Sequence, residues 1–148
     1  MKVISVLIVL LAIAVAVVPQ FTDCKAAGRE PLKLANGNTT EMKCFWTAQA
    51  EVAVGIGLAA VGARMFFSKR RETQRNLGIT AAVLGGCAVL LPLALIGVCA
   101  NPMMVCNSNM QPTLILMGTL TMAVGIVAAV LAQRSPEPVA APPSAAAA

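Results

Sequence analysis

The chain has 148 residues, of which 58% are hydrophobic and only 11% charged, and its mean hydropathy is +0.81. A soluble domain carries about 25% charged residues, so this chain has too little polar surface for a soluble monomer. It has no histidine and no tyrosine, which removes the commonest general base and metal ligand. Its net charge of +5 is too sparse for a nucleic-acid face.

The charges leave four long apolar stretches. The first, 3–18, is unbroken. The second, 47–67, is interrupted only by Gln49, Glu51 and Arg64. The third, 77–98, and the fourth, 113–132, contain no charge. A helix rises 1.5 Å per residue, so about 20 residues cross a bilayer core. The last three stretches have that length and the first is slightly short. All are apolar on every side, as lipid-facing helices are, and the alternation of a β-barrel is absent. The expected fold is an all-α membrane protein, a four-helix transmembrane bundle over 1–134 with two cysteine-bearing outer loops. The first stretch also has a reading as a signal peptide, with Lys2, an apolar run and small residues at Ala12, Ala14 and Ala16. Those small residues lie inside the run, and Pro19 to Asp23 makes a poor cleavage region. A retained helix is therefore expected.

Basic residues set the orientation. The connection Ser68–Asn76 holds Lys69, Arg70, Arg71 and Arg75, and Arg64 stands one turn earlier. The positive-inside rule places this connection in the cytoplasm, with both termini, in a multi-pass protein of the plasma membrane. Lys2 and Arg134 agree. The first outer loop, 19–46, also carries Lys25, Arg29, Lys33 and Lys43, but Asp23, Glu30 and Glu41 are interspersed. The Pro/Ala-rich stretch 135–148 has no periodicity and reads as a disordered cytoplasmic tail.

This topology puts Cys24, Cys44, Cys99 and Cys106 outside, and Cys87 inside the third helix. Four cysteines on an oxidising face suggest two disulfides, with three pairings open. Cys87 reads as a small buried apolar residue. Two further chemistries fit the same residues. Four-helix membrane enzymes of the vitamin K epoxide reductase kind pass electrons between loop cysteines and a quinone. Such sites usually include a C-x-x-C pair, whereas six residues separate Cys99 from Cys106. Cys99, Met103, Met104, Cys106 and Met110 also offer soft ligands suited to Cu(I). Structural disulfides remain the leading expectation, with no metal and no cofactor.

Glu51 lies about one turn inside the second span, and Thr47 shares its face. A carboxylate at that depth is costly unless paired, hydrated or protonated. One reading places it in the outer headgroup zone near a helix N-terminus, where a negative charge suits the dipole. The other turns it into the bundle, as part of an intramembrane polar site with Thr47 and Gln49. Trp46 reads as an interfacial anchor and Arg64 as a snorkelling base.

Small residues recur at spacing four: Gly55 and Ala59; Gly78, Ala82 and Gly86; Thr121, Gly125 and Ala129. Such stripes let helices approach closely, within a bundle or against a membrane partner. Pro92 predicts a kink in the third helix.

Two segments carry a family resemblance: Met42-Lys-Cys-Phe-Trp-Thr-Ala-Gln-Ala-Glu51 and Cys99-Ala-Asn-Pro-Met-Met-Val-Cys-Asn-Ser-Asn-Met-Gln-Pro-Thr113. With four spans around them, the chain resembles small prokaryotic membrane proteins grouped as domain of unknown function 4418. The resemblance covers residues 1–132. In such proteins a histidine often follows the second loop cysteine, and Phe45 stands there instead. Their genes often lie beside those of ABC-type permeases. The resemblance thus implies a non-enzymatic accessory or structural subunit that docks in the bilayer against a transporter permease. Gly55, Gly78 and Gly125 would mark helix contacts. The alternative is a membrane thiol-disulfide oxidoreductase or a copper-binding protein. The expected partners are the lipid bilayer and a membrane protein, not nucleic acid.

Overall fold

The computed structural model describes residues 2–26, 28, 30–101 and 103–134. The tail expected over 135–148 lies outside them. The chain forms α1 (Lys2–Thr22), β1 (Leu32–Lys33), β2 (Thr39–Thr40), α2 (Lys43–Phe67), α3 (Arg71–Leu90) and α4 (Gln111–Arg134). A π-helical turn, Leu91–Leu95, extends α3, and another, Cys106–Met110, leads into α4. All four helices are long and apolar enough to cross a membrane. In lipid, a helix satisfies its own backbone polar groups.

The helices run past the expected spans because the apolar runs end before the helices do. α1 continues through the buried Pro19 to Thr22, whose hydroxyl donates to the Val18 carbonyl at 3.0 Å. α2 begins at Lys43, so Cys44 belongs to a helix rather than to a loop. α3 takes in Arg71 to Asn76. Arg, Glu and Gln are good helix formers, and the connection from α2 shrinks to Ser68–Arg70. Pro92 falls in the π-helical turn rather than making a simple kink. There the N–H groups of Ile96 and Gly97 both donate to the Leu91 carbonyl, at 3.1 and 3.0 Å. Gly97 then ends the helix with φ +80°, a conformation that costs glycine little. The first loop contains an unexpected hairpin, with Leu32 opposite Thr40 and Lys33 opposite Thr39. Asn36-Gly37, a strong hairpin-turn signal, closes it.

α1 packs chiefly on α2, and α3 on α4. Glycines set both approaches. A Cβ on Gly55 would lie 2.9 Å from the Ala12 carbonyl oxygen, and one on Gly78 2.8 Å from the Ala129 nitrogen. Gly55, Gly78 and Gly125 are thus helix contacts inside the bundle. Gly86 is not. Its Cβ would meet nothing nearer than the Met122 sulfur at 4.0 Å, and Gly85 makes the contact instead. The buried face of α3 runs Gly78, Ala81, Gly85, Ala88, a spacing nearer the 3.5 residues of packed helices than a strict four.

The middle of the bundle is a core of Ile8, Ala12, Leu58, Met65, Ala81 and Ala128. Outward, Val3, Leu10, Ile56, Val83, Leu116 and Ile126 are exposed. Only 28% to 33% of each span's most apolar window is buried inside the bundle, so most apolar surface is left for lipid. The alternating helix directions bring Lys2, Arg64, Lys69, Arg70, Arg71, Arg75 and Arg134 to one end. Cys24, Cys44, Cys99 and Cys106 come to the other.

Candidate functional site: a four-thiol cluster

The cysteine end is a second core. Cys24, Cys44, Ala48, Cys106, Met110 and Leu114 are buried there, with Met42, Cys99 and Met104 packed against them. Each cysteine arrives from a different place. Cys24 sits in the turn after α1, where the Asp23 carboxylate accepts the Ala26 N–H at 2.6 Å. Cys44 stands in the first turn of α2. Cys99 follows α3, and Cys106 opens the π-helical turn before α4.

Side-chain to backbone bonds fix these ends together. Gln20 Nε2 donates to the Ala48 carbonyl at 3.2 Å and ties α1 to α2. The Thr47 hydroxyl donates to the Gly97 carbonyl at 2.8 Å and ties α2 to the end of α3. Asn107 Nδ2 donates to the Cys99 carbonyl at 3.2 Å and ties the last connection to itself. The π-helical end of α3 matters here, because Gly97 turns its carbonyl toward α2.

The four Sγ atoms all lie within 4.8 Å of one another. Cys44 is 2.6 Å from Cys24. Cys24 is 3.1 Å from Cys106 and 3.9 Å from Cys99, and Cys44 is 3.6 Å from Cys99. A disulfide has its sulfurs about 2.05 Å apart, so the two expected disulfides are not formed in this structure. The loops do not close pairwise on themselves, because the bundle gathers all four thiols at one point. Cys24, Cys44 and Cys106 are buried, and Cys99 is half-buried. Burial pushes the Cys24 thiol far above its usual range, and hydrogen bonds with Cys44 and Cys106 push the same way. Cys87 is half-buried within α3, apart from this group.

The methionines divide. Met110 is fully buried in the cluster and Met104 packs on it. Met103 is 88% exposed and turns away, so the expected run of soft ligands loses one member. Its N–H donates to Asn101 Oδ1 at 3.0 Å.

Beneath the thiols lies the polar face of α2. Glu51 is 0% exposed and neither carboxyl oxygen has a hydrogen-bond partner among the described residues. It faces the bundle interior. It stands seven positions after Cys44, two helical turns on one side. Gln49 is exposed and does not join Thr47 and Glu51, since two residues along a helix turn a side chain well away. Trp46 is 57% exposed.

Sequence reasoning identified the four cysteines, Thr47 and Glu51. It missed Met42 and Gln20, whose signals are only their positions beside helix ends. No curated protein and no solved structure gives a significant match to this chain. The model of one family, described as "Domain of unknown function (DUF4418)", matches residues 3–131. That span holds all four helical spans except the last turn of α4, and the chain belongs to this family.

Proposed function

We propose that the chain is a non-enzymatic membrane subunit whose four helices are joined at one end by a closed thiol site. It works by docking in the bilayer against a larger membrane complex such as an ABC-type permease. One observation carries the non-catalytic reading: three of the four thiols are buried. Thiol exchange needs an accessible thiolate, and burial pushes the Cys24 thiol up, away from its thiolate form. Docking is supported by an open apolar groove of about 440 Å³ between α3 and α4, floored by Ala82, Gly86 and Ala129. Small residues admit a neighbouring helix closely. The basic end faces the cytoplasm in this proposal, on the strength of its seven Lys and Arg side chains.

Thiol-disulfide exchange is the second reading. Cys99 favours it, being half-buried with its sulfur 3.6 Å from that of Cys44. Maleimide labelling of the folded chain in mild detergent separates the two. Slow labelling of all four thiols, relative to the unfolded chain, is expected. Rapid labelling at Cys99, with disulfide exchange, would favour the oxidoreductase. A gentle-detergent pull-down tests docking, with a co-purifying membrane protein expected. Recovery of the chain alone would count against it.

A further inference from the structure

We infer that the four-cysteine site binds one zinc ion. The Sγ atoms of Cys24, Cys44, Cys99 and Cys106 converge from all four helix ends to within 4.8 Å. This inference rests on the reading above, that the site is closed and does not exchange thiols.

The donor set and its size both point to a single tetrahedral cation. Zinc–thiolate bonds of about 2.3 Å hold four sulfurs about 3.8 Å apart. Sulfur separations of 2.6, 3.1, 3.6 and 3.9 Å fall on both sides of that value. For the closest pair, the correction is about 0.6 Å at each sulfur, within reach of small side-chain rotations. An all-thiolate tetrahedral set suits zinc better than hard cations. Other nearby groups are already engaged or turned away. The Asp23 carboxylate accepts from Ala26, and Met103 is in solvent. The buried Met110 lines the site as packing.

The surroundings suit the charge that would arise. Four thiolates and one Zn²⁺ carry a net charge of −2. Cys44 stands in the first turn of α2 and Cys106 opens the turn leading into α4. Neither helix start has a side-chain cap, so the positive end of each helix dipole faces the sulfurs uncompensated by a side chain, although Phe45, Asn107 and Ser108 donate their N–H groups to the Met42 and Met104 carbonyls. Lys25 and Lys43 adjoin Cys24 and Cys44 in the chain. On binding, each S–H bond gives its proton to solvent as an S–Zn bond forms. Four protons leave and no electron moves. The ion then links the ends of α1, α2, α3 and α4 at a single point.

The full-length chain, purified in mild detergent with reductant throughout, tests this. Elemental analysis is expected to find one zinc per chain. The cobalt-substituted protein is expected to show thiolate charge-transfer bands and the strong visible bands of a tetrahedral site. Cys44→Ser and Cys106→Ser are expected to lose the metal, and Cys87→Ser to keep it. Where the serine variants fail to fold, Cys99→His decides. Imidazole also ligates zinc, so this variant keeps the metal, although it destroys any disulfide at Cys99. Metal-free protein lighter by two hydrogens per cysteine pair would overturn zinc and leave the closed-site reading standing. Stoichiometric copper or iron in its place would also overturn zinc. Rapid exchange at Cys99 with no bound metal would overturn both.

Discussion

Gly125→Ala is the sharpest test of how the bundle packs. A Cβ there would lie 2.6 Å from the Ala82 nitrogen, 2.8 Å from the Gly78 carbonyl oxygen and 3.0 Å from the Ala82 Cα. All three atoms are backbone, so no side chain can swing aside. Restoring ordinary contact requires α4 to withdraw from α3 by about 1 Å, and close-packed interiors yield little. The same withdrawal opens the second glycine contact, where a Cβ on Gly118 would lie 2.9 Å from the Gly85 carbonyl oxygen. Overpacking of this kind costs about 1–3 kcal/mol. Alanine returns up to about 1 kcal/mol through its better helix propensity. A net loss of roughly 1–2 kcal/mol is expected. Gly86→Ala is the matched control. Its Cβ meets only the Met122 sulfur at 4.0 Å, so only the propensity gain remains. Thermal unfolding of both variants in the same detergent reads the difference. Equal transitions, or a more stable Gly125→Ala, would refute this account of the α3–α4 contact.

Three other outcomes are expected. Glu51→Gln puts a group that cannot ionise in place of a buried carboxyl whose oxygens have no hydrogen-bond partner among the described residues, so stability should be unchanged or rise by about 1–3 kcal/mol; a clear loss would reveal a partner for the carboxyl. Thr47→Val loses the 2.8 Å bond to the Gly97 carbonyl and should cost about 1 kcal/mol, read by hydrogen exchange at the end of α3 as well as by unfolding. In intact cells, a membrane-impermeant maleimide should label Asn38→Cys but not Ser68→Cys, in a chain otherwise free of accessible thiols. The opposite pattern would invert the orientation.

Spans were legible in the sequence where composition alone decides them. The stretches 47–67 and 113–132 lie wholly inside α2 and α4, because charge is excluded from lipid whatever the packing. Their ends were less legible. Cys44 and Arg71 are both helical, and helices outlast the apolar run when good helix formers follow it. The Asn36-Gly37 hairpin had its signal in plain view, but strands of two residues leave no periodicity to find.

The sequence by itself determined the number of helices long and apolar enough to cross a membrane and the gathering of four cysteines at one end of the bundle. Those follow from the cost of burying charge in lipid and from counting passes. Only the tertiary structure decided that the cysteines form one cluster rather than one pair per loop. It also turned Glu51 inward, left Gln49 and Met103 exposed, and chose Gly85 over Gly86. The placements of Glu51, Gln49 and Gly85 depend on the rotation of one helix against another. Because these helices are apolar on every side, their sequences carry little record of that rotation. Backbone contacts at Gly55, Gly78 and Gly125 fix it instead.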